Sequence, residues 1–257
     1  MRDLSVNGIT LPGDQHVCQD LWGQASSVLW VIDGATRANS QANDETVRWV
    51  TNFSDALAKQ ISNAPDADLG NVLSAAITKV AIKETFEHPS ATIAMARYTN
   101  QGIETLVLGD CAILVETSDG EITAITDTRL QNVAPELRRA RRDARATGNK
   151  SLFDELTAKL LQQEDYWRNH DNGFWVVQNN PEATKEALHN VFQGARQALL
   201  MSDGVFNAIQ KFSSSRDAAF KSLISSPAKY SNALKTAVAE HEDHCDDMTV
   251  VAGIWTV

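Results

Sequence analysis

The stretch WVIDGATRAN, residues 30–39, closes the apolar run SVLWVI, so a segment that reads as a buried strand ends on Asp33-Gly34. An Asp-Gly pair often serves a chain reversal. It also sets a carboxylate at the rim of a sheet, rigidly placed and partly desolvated. The dipeptide alone does not choose between turn and ligand; its recurrence does. QALLMSDGVFNAI carries another apolar strand into Asp203-Gly204 and a following helix, and HCDDMTVVAGIWTV places Asp246-Asp247 ahead of the last apolar strand. Asp20, in HVCQDLWG, stands before the first long apolar segment. Four carboxylates on one rim would repel one another unless cations were bound, and hard divalent ions prefer oxygen ligands. A metal centre therefore accounts for the pattern better than acids that merely flank strands.

The bulk composition narrows the class. A chain of 257 residues, 43% hydrophobic and 22% charged, can bury a substantial core and reads as one domain over 1–257. A net charge of -10 argues against nucleic-acid binding, which needs Lys and Arg to neutralise phosphates, and suits a site that concentrates cations. The sequence shows no apolar run long enough for a membrane span and no signal-peptide core, so a cytoplasmic monomer without membrane partners is expected. Three cysteines, Cys18, Cys111 and Cys245, form no C-x-x-C pair and read as buried free thiols. His241 and His244 lack the partner pair of a zinc site and read as loop histidines.

Strands are expected at about 15–22 and 26–33, followed by two amphipathic helices over 43–62 and 69–87, the first capped by Asn43 or Asp44. SATIAMARYT, GIETLVLGD, AILVETSDG and EITAITD read as a meander of antiparallel strands. A charged helical hairpin breaking near Gly148-Asn149 comes next, then a strand GFWVVQ, a helix opened by Pro181, the strand ALLMSD, two or three helices, and the final strand. This order is α+β: two stacked antiparallel sheets flanked by helices. The arginines of RRARRDAR fit a solvated helix face or a docking surface for an anionic partner.

Taken in order, VCQD, VIDGAT, SATIAMARY, LVLGDCAILVETSDGEITAITD, LLMSDGVFNAI and DDMTVVAGI resemble the metal-dependent protein phosphatase family PP2C over most of the chain, from about residue 15 to 257. The resemblance implies a four-layer sandwich that hydrolyses phosphoserine and phosphothreonine in proteins with two Mn²⁺ or Mg²⁺ ions. Asp33 would bridge both metals and be the central catalytic acid. The Gly34 carbonyl, Asp20, Asp203 and Asp246 would complete the ligand set, and Asp127 would take a third ion. Asp110 and Asp247 would buttress the site from behind. The helical excursion over about 134–169 occupies the place of the family's variable flap. Such a centre activates water and clamps phosphoryl oxygens for in-line displacement, so no protein nucleophile is needed.

The chain also departs from the family pattern. The phosphate-holding Arg expected four or five residues before the first acid is replaced by His16 and Gln15, and GDCA lacks the usual Ser-Arg pair. GATR supplies no His after the Asp-Gly, leaving His16 and Arg37 as weak phosphate-binding candidates. A phosphatase-like module that binds a phosphoprotein with little turnover is thus the alternative. An N-terminal-nucleophile hydrolase shares the architecture, but MRDLS offers no suitable residue at its start.

Overall fold

The computed structural model describes residues 3–14, 17–35, 40–81, 89–241 and 244–256. Gln15, His16 and Arg37 lie outside them, as does the end of the second predicted helix. The strands are β1 (Asp3–Leu11), β2 (Leu21–Ala25), β3 (Val28–Gly34), β4 (Ala91–Thr99), β5 (Gly102–Leu108), β6 (Ala112–Glu116), β7 (Ile122–Thr126), β8 (Leu188–Gln193), β9 (Gln197–Met201) and β10 (Met248–Thr256). The helices are α1 (Ser40–Asn63), α2 (Leu69–Ala81), α3 (Pro135–Ala146), α4 (Lys150–Trp167), α5 (Asp203–Phe212), α6 (Arg216–Ser225) and α7 (Pro227–His241). Two five-stranded sheets result, ordered β1-β10-β9-β6-β7 and β2-β3-β4-β5-β8, with antiparallel pairing throughout.

The central strands are apolar on both faces because each face is covered. In β3, Val28, Trp30 and Ile32 pack beneath α1 and α2, whereas Leu29 and Val31 point into the layer between the sheets. β9 divides in the same way: Leu199 and Met201 face α5–α7, and Ala198 and Leu200 face the opposite sheet. A two-residue period with both faces buried explains continuous runs such as VLWVI, where a half-exposed strand would alternate with polar residues. The Trp30 indole also donates to Ser54 Oγ at 3.0 Å, tying the second sheet to α1. Among the described residues, no helix is long and apolar enough to cross a membrane.

Several sequence expectations are corrected. β1, a nine-residue edge strand, was assigned no element, and the strand expected at 15–22 begins only at Leu21. α1 starts at Ser40, so Asn43 and Asp44 lie within it and do not cap it. The meander is interrupted: β4 and β5 belong to one sheet, β6 and β7 to the other. The crossing occurs at Gly109, whose φ of +86° and tight approach to Thr92 steer the chain between layers where a hairpin would fold back. GFWVVQ forms only bridges, Val177 exchanging backbone hydrogen bonds with Ala91 at 2.8 and 2.9 Å. Pro181 opens a short 3-10 turn, Pro181–Glu186, and the following LHNVFQ is edge strand β8. Its mostly exposed positions are what a sheet edge tolerates.

α3 and α4 form an antiparallel hairpin. Gly148 takes a positive φ at the break and Asn149 caps α4, accepting from the Leu152 N–H at 3.2 Å. A small cluster of Val133, Phe174 and Val176, with Trp167 packed against it, anchors the base of this hairpin.

Candidate metal centre

Strand register gathers the acids at one end of both sheets. Leu21 of β2 faces Ile32 of β3, so Asp20 falls beside Asp33, and Gly34 faces Ala91 at the start of β4. In the other sheet Ala112 faces both Met201 and Thr126, which puts Asp110, Asp203 and Asp127 at a single end. Val250 of β10 faces Met201, so Asp246 and Asp247 arrive there too. Thr92 Oγ1 donates to Cys111 Sγ at 3.1 Å, joining the two sheets next to this rim.

The electrostatics report the same convergence. Burial pushes the Asp33 carboxyl well above the usual carboxylate range, and Asp20, Asp203, Asp110 and Asp246 push it further. Asp203 is raised in the same manner by burial and then by Asp110, Asp246 and Asp20, although it shares a hydrogen bond with Asp33. Asp20 rises to about 7, chiefly by burial; the Ser202 and Thr249 hydroxyls partly offset the charges of Asp247 and Asp246. Burial also raises Asp246 and Asp110, the latter eased by the Thr92 hydroxyl and the Arg138 guanidinium. One oxygen of Asp20, Oδ2, is buried without a hydrogen-bond partner. Crowded carboxylates with an orphaned oxygen form a donor set suited to a hard cation.

The remaining predicted residues differ in their surroundings. The Asp247 carboxylate accepts the backbone N–H groups of Gly13 at 2.7 Å and Gln19 at 2.8 Å, fastening three segments together. Gly204 is required beside it, since a Cβ there would lie 2.1 Å from the Asp247 carbonyl oxygen. Asp110 lies at the same rim, and its charge acts on both Asp33 and Asp203. Asp127, at the end of β7, is buried against Arg129. Cys111 and Cys245 are buried free thiols, as expected, whereas Cys18 is only half-buried; burial pushes the Cys18 thiol up to about 12 and raises the other two. His241 is the last residue of α7, its Nδ1 against the Ala237 carbonyl, so it is helical and not in a loop; His244 pairs with Asp14.

Sequence reasoning passed over two arginines at this end of the molecule. Arg129 is signalled only by its two-residue offset from Asp127, and Arg138 only as one member of a run that fits a solvated face or a docking surface, with nothing to single it out. A separate group, Asp68, Glu104 and His189, brings donor atoms within 4.8 Å of one another on the second sheet. Glu104 there is already neutralised by Arg97, Nε to Oε2 at 2.6 Å, and Asp68 caps α2 through the Asn71 N–H, so structural pairing accounts for the group.

Comparison with known proteins agrees with this geometry. The sequence profile described as protein phosphatase 2C matches residues 12–240. A search of curated proteins found no match. Among solved structures, the chain resembles the PPM Ser-Thr phosphatase MsPP from Mycobacterium smegmatis in complex with cacodylate, at 18% identity, TM-score 0.58 and 97% coverage of each chain. It resembles the catalytic domain of the serine threonine protein phosphatase PstP in complex with two manganese ions, at 17% identity and TM-score 0.61 with both chains fully covered. Serine/threonine phosphatase Stp1 from Staphylococcus aureus aligns at 13% identity and TM-score 0.63, over 98% of this chain and 95% of that one. Two stacked sheets between helices, with carboxylates at one rim, define a phosphatase-type sandwich. The chain belongs to the protein phosphatase 2C family.

Proposed function

We propose that this protein is a metal-dependent phosphatase acting on phosphoserine and phosphothreonine in proteins. The observation that carries the reading is the gathering of Asp20, Asp33, Asp203 and Asp246 from both sheets around an orphaned buried oxygen on Asp20. In this reading Asp33, the Gly34 carbonyl, Asp20, Asp203 and Asp246 would hold two Mn²⁺ or Mg²⁺ ions. Cations bound there supply Lewis-acid charge to phosphoryl oxygens and make a bound water acidic.

The chain's own residues hold that arrangement. Asp247 clamps the segment before Asp20 to the segment carrying Asp246. Ser202 is held against β10: its backbone N–H donates to the Thr249 carbonyl and its Oγ accepts the Thr249 N–H, both at 2.9 Å, so the approach to Asp203 is fixed. Arg138, near enough to Asp110 to ease its ionisation, brings positive charge from the α3–α4 hairpin toward the rim. We assign that hairpin the role of a flap bearing on protein substrates, within a single cytoplasmic domain.

The deciding experiment is hydrolysis of an aryl phosphate and of a phosphothreonine peptide with Mn²⁺, with and without chelator. Metal-dependent release of phosphate from both is expected. Metal binding without turnover on either substrate would instead favour a phosphoprotein-binding module, and absence of both would refute the centre.

A further inference from the structure

A cavity of about 270 Å³ opens in the seam between the base of the α3–α4 hairpin and the body of the molecule. Its walls come from the 3-10 turn Arg129–Asn132, the tight turn after α4 that carries Asp171 and Asn172, Trp175, and Glu186. Each wall is fixed in place. Asp127 Oδ1 accepts the Arg129 backbone N–H at 2.9 Å and Nε at 3.1 Å, and Arg129 Nη2 donates to the Glu186 carbonyl at 2.7 Å. The turn after α4 is closed by the Gly173 N–H on the His170 carbonyl at 3.0 Å, and Asn169 Oδ1 accepts the Val176 N–H at 2.8 Å. Phe174 and Val176 are buried in the hairpin base, which leaves Trp175, between them, partly against the core beneath α1 and α2 and partly against the cavity.

We infer that this cavity is a subsite for a basic side chain of the protein substrate, best filled by arginine. Asp127 and Glu186 share the one guanidinium of Arg129, and Asp171 adds a further carboxylate to the walls, so the excess charge is negative. An anion would meet that excess, with the Arg129 donors already engaged. A divalent ion would find too few oxygen ligands, since one of the two wall carboxylates, Glu186, is bound to Arg129. An incoming guanidinium instead meets the Asp171 carboxylate, the amide oxygens of Asn132 and Asn172, and the Trp175 indole, whose ring attracts cations. The volume is below the roughly 300–1,000 Å³ of pockets that enclose whole small molecules, and it suits one long side chain.

Backbone pairing places the cavity beside the metal centre and outside it. Ala91 faces Gly34 of β3 and turns its N–H and C=O to Val177, at 2.9 and 2.8 Å. Antiparallel Cα spacings put Val177 about 10 Å from Gly34, and Trp175, two residues beyond, within about 17 Å. An extended peptide covers such a span in about three to six residues. The substrate and the spacing rest on the function proposed above; the preference for a cation does not.

The test compares kcat/KM on phosphothreonine peptides carrying a single arginine, stepped from about two to about seven residues away on either side, with the all-alanine peptide. With Mn²⁺ the parent should prefer arginine about five- to tenfold at one such position, through KM. Asp171→Lys should erase that preference and leave the all-alanine peptide and an aryl phosphate unchanged; Asp171→Asn, milder for the turn, should give an intermediate value. A second readout needs no turnover. N-acetylarginine amide titrated into ¹⁵N-labelled protein should shift the Trp175 indole and the Asn172 and Gly173 N–H signals, N-acetylalanine amide should not, and Asp171→Lys should remove the shift. No arginine preference in an active parent, a preference retained in both Asp171 variants, or equal shifts from the alanine amide overturns the inference. Should the parent hydrolyse no peptide, the function proposed above fails, and the arginine titration alone decides the subsite.

Discussion

Asp247 Oδ2 accepts the backbone N–H of Gln19 at 2.8 Å across 228 positions of chain, so the neighbour of Asp20 is pinned to the neighbour of Asp246. The second oxygen holds Gly13. Asp247→Ala leaves both N–H groups without their acceptor, and a lost hydrogen bond to a charged group costs about 1.5–3 kcal/mol. Denaturant melts should show a loss of that order, with Mn²⁺ affinity at least tenfold lower by calorimetry. Asp247→Asn retains one acceptor oxygen and should fall between. Unchanged affinity in Asp247→Ala would show that the clamp does not position the rim.

Asp33→Asn removes charge from the middle of the carboxylate cluster with little change in volume. Activity with Mn²⁺ should drop by orders of magnitude. The metal-free fold should melt at the same temperature or slightly higher, because one member of a repelling set is gone. Mn²⁺ should then stabilise the variant less than the parent, by mass action on the folded state. A plain structural turn at Asp33-Gly34 predicts the reverse: lower apo stability and an unaltered response to metal.

Metal removal should expose a distinctive pH dependence. Asp20 has a folded-state pKa of about 7 against an ordinary 3.8, so between those values the folded chain holds more protons than the unfolded one. Its contribution to stability therefore falls as pH rises from about 4 to about 7 and is level above that. Chelated protein should melt several degrees lower at about pH 8 than at about pH 5.5, and saturating Mn²⁺ should abolish or invert the difference. Asp20→Asn should make the chelated profile shallower without flattening it, since Asp33, Asp203, Asp110 and Asp246 are raised in the same direction; an unchanged slope would exclude Asp20 as a source.

At the opposite end of β3 from Asp33, Arg97 binds the buried Glu104 and also donates to the Ala67 carbonyl at 2.6 Å. Arg97→Ala strands that carboxylate between His189, at 2.8 Å, and the like charge of Asp68. Breaking a buried pair from one side costs about 3–5 kcal/mol, whereas replacing both partners by apolar residues is often neutral. Urea unfolding of Arg97→Ala and of Arg97→Met/Glu104→Leu should show that contrast, with turnover per folded molecule unaltered in both.

The arginines of α3 separate into two kinds. Arg138 donates to Glu164 at 2.6 Å and to the Val133 carbonyl at 3.0 Å, and the Arg141 guanidinium lies 5.5 Å from the Phe153 ring centroid, so both hold the hairpin together. Arg139 and Arg142 are exposed. Reversing the charge of only these two should weaken action on phosphoproteins several-fold while sparing an aryl phosphate. Equal loss on both substrates would instead indicate a defect in folding.

The strand-end acids were legible because they follow from chemistry confined to short segments: an apolar run, a carboxylate, a glycine. β1 and β8 were not. Their positions at the sheet edges leave β1 mostly half-buried and β8 mostly exposed, so neither shows the apolar density that marked β3 or β10. The switch between sheets at Gly109 was hidden because β5 and β6 read alike as apolar strands, and only pairing partners separate them. The nearness of Asp110 to the other acids was hidden for the same reason, since its place depends on that crossing. The Arg129–Asp127 pair is a matter of side-chain direction, which spacing alone does not reveal.

The division of the acids between two sheets makes the layer between them a caliper. Asp20 and Asp33 ride on one jaw, Asp203 and Asp246 on the other. Their separation is set by the bulk of Leu29, Val31, Val107, Val115, Leu200 and Val251, none of which approaches the reacting atoms through its own chemistry. Interiors packed this densely do not absorb a missing methylene without movement. With the proposed ligand set, a substitution such as Val115→Ala would shift one pair of acids against the other, and the preference for a smaller or a larger divalent ion would become adjustable from inside the core.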